Sequence, residues 1–207
     1  KLEFRGEFYQ HTLMTPMFSP DKRELEGFGP PKMFLAGVGP LMTEVAGEAF
    51  DGFICHGFTT EKYLREVTIP ALARGREKAG KTMEGFEIVG PSFVVTGNND
   101  EEIERAAIAT RKQIAFYGST PAYRPVLEMH GWGGLQDELN TLSKQGEWDK
   151  MGTLIDDEIL NTFAVVGEPE GIAGELGARY GDVIQRLSFY APYASDPDRW
   201  SKVMSDL

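Results

Sequence analysis

The sequence predicts an α/β protein built on a parallel sheet, and two observations carry that class. Short apolar runs of strand length alternate with helical stretches of ten or more residues, the pattern of right-handed βαβ crossovers. Glycine and proline punctuate the joints between them, as in Gly37-Val38-Gly39-Pro40, where a strand hands over to a helix. No internal repeat and no low-complexity segment competes with this reading.

Along the chain, residues 1–31 hold turn signals and short β-prone pieces. The stretch Phe8 to Leu13 looks like a strand, while Pro16, Pro20, Gly27, Gly29, Pro30 and Pro31 break anything longer. Residues 33–36 read as a buried strand, and 41–49 as a helix with Pro40 in its first turn, where a missing N–H costs nothing. A second strand covers 52–55. Thr59 or Thr60 can cap a longer helix, which Pro70 should kink or divide. The third strand, 86–96, carries Gly90-Pro91, the mark of a bulge or bend. Asn98-Asn99-Asp100 then caps a helix. Residues 119–160 are helical but interrupted, 162–166 are extended, 170–179 form a helix, 183–190 the last strand, and about 196–205 a terminal helix. The chain is thus read as one domain, 1–207, in four segments: 1–31 a hairpin and loop insertion, 32–96 β/α units, 97–160 a helical insertion, 161–207 the last unit. The insertion either covers a site or builds an oligomer surface.

Composition narrows the partners. The chain has 207 residues, 41% hydrophobic and 26% charged, which suits an ordinary folded protein with a real core. A net charge of −11 opposes nucleic acid and anionic membrane, because no basic stripe stands ready to displace counterions. It leaves room for an anionic small ligand, since a few backbone N–H groups hold a phosphate inside an acidic protein. Cys55 is the only cysteine, so neither an internal disulfide nor a cysteine-based zinc site can form. No secretory h-region and no apolar run of about 18 residues is present, so the expectation is a cytoplasmic protein. The first residue is lysine, which reads as a cut or truncated start.

The candidate site begins at Leu35-Ala36-Gly37-Val38-Gly39-Pro40. A dinucleotide fingerprint needs a third glycine where Met42 stands, and an acidic residue closing the second strand, which instead ends Cys55-His56-Gly57. A phosphate cradle needs only backbone N–H groups at a helix start, which Gly37, Val38 and Gly39 can supply. The alternative is a tight strand-to-helix corner using glycine for positive φ. Gly39→Val is expected to crowd the backbone of a cradle. His56 lies at the carboxyl end of a strand, the rim where α/β folds place ligands, either as a donor to a phosphate or cofactor or as a loop histidine. Cys55 reads as a small core residue, with no base to activate it. His11 and His130 lack metal-like companions. Asp156-Asp157-Glu158 reads as a solvated helix start, and Trp132 and Trp148 either line a pocket or pack their own loops. A phosphorylated substrate would call for lysine or arginine around the site; Lys62 is the one candidate and the region is otherwise poor in cations, so no phosphorylated substrate is expected.

These residues carry a resemblance. The run PPKMFLAGVGPLMTEVAGEAFDGFICHG, 30–57, resembles the luciferase-like monooxygenase superfamily in its turn, its helix ending in A-G at Gly47, and the pair Asp51-Gly52. FICHGFTTEKYLREVTIPAL is most similar to the branch using the deazaflavin coenzyme F420, supported by the G-E-F-Y hairpin, the 86–96 strand and VVGEPEGIAGEL. The resemblance implies a TIM (β/α)8 barrel with the cofactor at the carboxyl ends of the strands. Gly37, Val38 and Gly39 would contact its phosphate-bearing tail, with Cys55 and His56 on the neighbouring loop.

The resemblance implies a flavin- or deazaflavin-dependent oxidoreductase passing a hydride between F420 and a small organic substrate. The alternatives are an FMN-dependent luciferase-like monooxygenase and a non-catalytic cofactor-binding or assembly module. Only four main strands are counted (33–36, 52–55, 86–96, 183–190), whereas a closed barrel needs eight. They align with the second half of the family's barrel, so the catalytic residues are expected outside this chain and none is named within it. A half barrel leaves parallel edges unpaired and an apolar face uncovered. The expectation is therefore completion by an N-terminal half, or a homo-oligomer.

Overall fold

In the computed structural model, which describes residues 2–18, 26–194 and 196–207, the chain begins with a small antiparallel hairpin. Strands β1 (Phe4–Arg5) and β2 (Gln10–His11) pair Phe4 with His11 and Arg5 with Gln10. Gly6 N–H donates to the Tyr9 carbonyl at 3.0 Å, so the turn is the predicted G-E-F-Y hairpin. The strand expected from Phe8 to Leu13 pairs only at Gln10–His11, because Phe8 and Tyr9 belong to the turn. Pro16 opens a short 3₁₀ turn, Pro16–Phe18, and the break expected at Pro20 lies outside the described residues. Lys1–Lys32 form a compact unit of their own, and Met33–Leu207 form the second.

The second unit alternates as the sequence predicts. Strand β3 (Phe34–Ala36) leads into helix α1 (Pro40–Ala49), and β4 (Gly52–Ile54) into α2 (Glu61–Tyr63), a π-turn (Leu64–Thr68) and α3 (Ile69–Lys78). Strand β5 (Glu87–Thr96) precedes α4 (Asp100–Gly118), α5 (Arg124–Glu128), α6 (Gly133–Gln145), α7 (Trp148–Thr153) and α8 (Asp157–Phe163). Strand β6 (Ala164–Gly167), α9 (Pro169–Tyr180), β7 (Arg186–Tyr190) and α10 (Pro197–Ser205) complete the order. All strands of this five-stranded sheet are parallel.

Strand β5 is the hub of the sheet. Val89 pairs with both Ile54 and Arg186, and Phe93 with both Ala164 and Tyr190. A strand residue has two sides, so β7 takes one edge of β5 while β4 and β6 follow one another along the other. No bulge interrupts β5 at Gly90-Pro91, since register with β7 runs unbroken from Val89 to Phe93. The reason is directional. The Val89 carbonyl accepts from Cys55 N–H on the β4 side, and the Ile88 carbonyl accepts from Gln185 N–H on the β7 side. Alternate residues share a direction, so Pro91 aims its missing N–H at the β4/β6 edge. There the pairing with β4 has ended at Val89 and that with β6 has not begun before Phe93. Proline is tolerated where no ladder bond is needed.

Helix starts follow their caps. Thr60 Oγ1 accepts from Tyr63 N–H, and Asn99 Oδ1 accepts from Glu102 N–H while Glu102 Oε2 accepts from Asn98 N–H. Pro70 does not split its helix. The wide π-turn just before it closes with Ile69 N–H on the Leu64 carbonyl, so the ladder is already shifted where proline has no N–H to give. Helices α1 and α3 pack backbone to backbone. A Cβ on Gly47 would lie 2.2 Å from the Leu72 carbonyl oxygen, and one on Gly75 would lie 1.9 Å from that of Glu44. Arg74 and Lys78 of α3 pair with Glu44 across this seam.

The two faces of the sheet have separate cores. One face buries Phe53, Ile88, Val94 and Val165 against Ala46, Leu72, Leu176 and Val203 of the flanking helices. The other buries Phe93, Val95 and Ala164 against Ala106, Ile114 and Leu127 of the helical insertion and against Phe163 at the end of α8. Toward β3 that second face is bare: Ala36 is exposed, and Ile54 is 38% exposed. Among the described residues β3 pairs only with β4, and β7 only with β5.

Candidate cofactor-binding site

Strands β3 and β4 are neighbours and parallel, so the loops leaving their carboxyl ends lie side by side. The first is Gly37-Val38-Gly39 and the second Cys55-His56-Gly57-Phe58. One cleft takes its walls from both, and all five residues predicted from the sequence line it, together with Thr43, Phe58 and Tyr63. Its enclosed volume is about 30 Å3, room for roughly one water.

The turn is held by its own backbone. Gly39 has φ 81° and ψ 158°, a conformation reserved for glycine. Thr43 donates to the Gly39 carbonyl twice, from its N–H at 3.1 Å and from its hydroxyl at 2.8 Å. Among the described residues no hydrogen bond uses the amides of Gly37, Val38 or Gly39. Gly37 and Gly39 are half-buried and Val38 is exposed. Pro40 supplies no donor, and no carboxylate sits in the first turn of α1 to neutralise its positive end. A Cβ on Gly39 would meet nothing within 4 Å, so the crowding expected of Gly39→Val is not its difficulty. The difficulty is the positive φ. Gly37 is the tighter position, with Met42 Cβ 3.2 Å from where its Cβ would be.

Asp51 and Gly52 serve this geometry from below. Met33 N–H donates to Asp51 Oδ2 at 2.9 Å, and Asp51 N–H donates to the Met33 carbonyl at 2.9 Å, which locks the start of β3 to β4. Gly52 leaves room for the Phe34 ring, 2.2 Å from its would-be Cβ. Cys55 is buried, and burial pushes its thiol up to about 12, so it is a neutral wall of the cleft with no thiolate character.

His56 is half-buried and fully engaged. Phe58 N–H donates to its Nδ1 at 3.0 Å, which leaves the ring proton on Nε2 facing the Tyr123 hydroxyl at 3.2 Å. Burial lowers its pKa, in keeping with the neutral ring that accepts from Phe58. Direct donation from His56 to a phosphate would break this arrangement. The ring stacks on Tyr123 at 4.7 Å and meets Tyr117 edge-on at 4.7 Å.

Three tyrosines, absent from the sequence reading, complete this corner. Tyr117 and Tyr190 share a hydroxyl–hydroxyl bond of 2.9 Å, and Tyr190 stacks on Phe93 at 4.7 Å. Gly57 makes room for the Tyr190 ring, whose Cδ1 would stand 3.1 Å from a Cβ there. The only sequence signal was placement: Tyr190 closes the last strand on the ligand-bearing rim, and Tyr117 ends a helix that packs over it.

The remaining candidates sit elsewhere. His130 Nε2 is 2.9 Å from Thr60 Oγ1 and its ring stacks on Trp132, so that tryptophan packs its own loop. Trp148 is half exposed beside Phe116. Asp156 caps α8 by accepting from Ile159 N–H, as a helix start should. Lys62 is exposed and donates to the Met129 carbonyl at 3.4 Å. His11 belongs to the hairpin unit. Among the described residues no cluster of three metal-ligating side chains occurs, and no helix is long and apolar enough to cross a membrane.

Comparison with known proteins gives this architecture a context. A family model described as luciferase-like monooxygenase matches residues 1–186. An uncharacterised protein of Mycobacterium tuberculosis (strain ATCC 25618 / H37Rv) is 52% identical over 187 residues, 90% of this chain and 54% of that protein. An F420-dependent glucose-6-phosphate dehydrogenase of Kribbella flavida is 39% identical over 82 residues, 40% of this chain and 24% of the relative. The solved structure of the coenzyme F420-dependent tetrahydromethanopterin reductase of Methanopyrus kandleri superposes with a TM-score of 0.64 at 17% identity. That superposition covers 83% of this chain and 48% of the reductase, and it identifies the sheet and helices as the parallel β/α units of that barrel fold. The chain spans about half the length of the mycobacterial relative.

Proposed function

The chain belongs to the luciferase-like monooxygenase family, and from that premise we propose that it is part of an oxidoreductase that binds coenzyme F420 through the Gly37–Gly39 turn. The observation that carries this reading is the set of amides with no partner among the described residues, at the start of a helix, on the carboxyl rim of a parallel sheet. The residues fit an anionic tail. The space a Gly39 side chain would enter is clear, and Val38 is exposed beside it. Since the enclosed cleft holds about 30 Å3, the tail would lie across its mouth.

When bound, the deazaflavin supplies hydride-transfer chemistry to a small organic substrate. The chain's own residues bind and position. Gly37, Val38 and Gly39 amides hold the anion, and Thr43 keeps the Gly39 carbonyl turned away from it. Cys55 and His56 wall the neighbouring loop, the thiol neutral and the imidazole holding Tyr123 in place. The bare face at Ala36 and Ile54 and the open edges of β3 and β7 suit further parallel β/α units, or a second copy, closing over the sheet. The reacting groups would be carried by those units.

The test is titration of the protein with F420 and, separately, with FMN, followed by cofactor fluorescence. F420 binding that Gly39→Val weakens about tenfold or more, the worth of one charge-assisted hydrogen bond, supports the proposal. Tight FMN binding with no F420 binding reverses the choice of cofactor.

A further inference from the structure

Tyr117 and Tyr123, Tyr190, and His56 come from three separate stretches of chain, yet their rings form one connected group. Tyr117 lies 6.1 Å from Tyr123 and 6.3 Å from Tyr190 by ring centroid, and 4.7 Å from His56. All four are half-buried rather than sealed. The group stands on the carboxyl rim of β4 and β7, on the sheet face that carries the helical insertion.

Its hydrogen bonds leave two protons over. Tyr123 receives the Nε2 proton of His56, and among the described residues its own O–H has no acceptor. In the Tyr117–Tyr190 pair one hydroxyl donates to the other, and the receiving hydroxyl keeps its proton for a further acceptor. Burial and the bond to Tyr117 push Tyr190 up to about 12, so its hydroxyl keeps its proton. Among the described residues no charged side chain contributes to the shifts of His56, Tyr123 or Tyr190; burial accounts for His56, and burial with Tyr117 for the two tyrosines. An anion taken here would lose its hydration with no cation in return, whereas a neutral oxygen acceptor would satisfy two half-buried donors.

We propose that Tyr117, Tyr123 and Tyr190, oriented by His56, form a hydroxyl site that takes the oxygen of a neutral carbonyl- or alcohol-bearing small molecule, adjoining the anion cradle at Gly37–Gly39 through His56. As a substrate site it rests on the oxidoreductase reading; as a binding site it stands alone. The tyrosines here are positioning residues.

The test uses the protein with its tyrosine rings isotope-labelled and followed by NMR, the signals assigned through Tyr117→Phe, Tyr123→Phe and Tyr190→Phe. Cyclohexanone is the neutral probe; glucose 6-phosphate and inorganic phosphate are the charged ones. Cyclohexanone should shift all three ring signals, and Tyr123→Phe and Tyr190→Phe should each weaken its binding about fivefold, one neutral hydrogen bond. Inorganic phosphate should move the Gly37–Gly39 amides and leave the tyrosines alone. The proposal is overturned if cyclohexanone leaves the wild-type tyrosines unmoved, or if either phosphate probe shifts them as strongly. Wild-type titration decides the matter even if a variant fails to fold. F420 titration of the same samples separates the two readings: no F420 binding with intact cyclohexanone binding removes the coenzyme and keeps this site, and the converse removes this site alone.

Discussion

Two pairs of glycines in this molecule do opposite work. Gly47 and Gly75 lie where α1 and α3 touch, and a methyl group on either would strike a carbonyl oxygen of the other helix. Gly39, together with Gly37, shapes a turn whose amides have no partner within the described residues, and a methyl group on Gly39 would strike nothing. Gly47 and Gly75 are glycine because the fold has no room, Gly39 because the chain must turn at positive φ with space left open around it, and Gly37 shares the turn but sits close to Met42. A glycine is therefore informative about ligands only when the space around it is open. The helix ending in A-G and the G-V-G turn look alike in sequence, and only the second bears on binding.

The contrast predicts a graded set of outcomes. Gly75→Val should be the most damaging change, costing about 3 kcal/mol or more by overpacking and lowering Tm by roughly 6–12 °C. Gly39→Val should cost about 1–3 kcal/mol through its φ of 81°. Its folded fraction should still lose F420 binding, so calorimetry and fluorescence titration on the same sample separate fold from site. A Gly39→Val protein that binds F420 normally would erase the distinction drawn here. Asn99→Ala removes a side-chain cap and should lower stability by about 1 kcal/mol, read by chemical denaturation, with F420 affinity unchanged. It is the control for a helix start whose donors already have partners.

The smallest effect concerns pH. Burial lowers the pKa of both His56 and His130, so the folded state disfavours their protonated forms. That contribution is complete above the ordinary histidine pKa of about 6.5 and is lost as the pH falls through the lowered folded values. Stability should therefore decline on acidification below about 6.5. His56→Gln, which keeps an acceptor for Phe58 N–H but cannot titrate, should make the decline shallower in denaturant melts at successive pH values.

The frame of the fold was legible because its signals are local. Strand-length apolar runs, Pro40 at a helix start, and Thr60 and Asn99 as caps each act within a few residues, and the structure has all of them. The misreadings arose where a distant partner decides. Gly90-Pro91 looks like a bulge until the strand across that edge is known to stop short of it. At Pro70 the deciding feature is local instead: a π-turn directly before it absorbs the missing donor, and the helical run continues undivided. Of the site, the Gly37–Gly39 turn and the adjoining Cys55-His56 loop could be read, since each follows a strand directly. The tyrosines could not, because Tyr117, Tyr123 and Tyr190 meet only through the insertion and the last strand.

The π-turn has a consequence for the helices beyond it. One extra residue in a helical turn rotates every later side chain by about 100° about the axis. Were Leu64–Thr68 wound as ordinary α-helix, Gly75 would swing off its line of approach to Glu44 and a bulkier neighbour would meet α1 in its stead. A five-residue irregularity thus sets the azimuth of the ten residues that follow, and with it the seat of the helix whose first turn presents the candidate cradle.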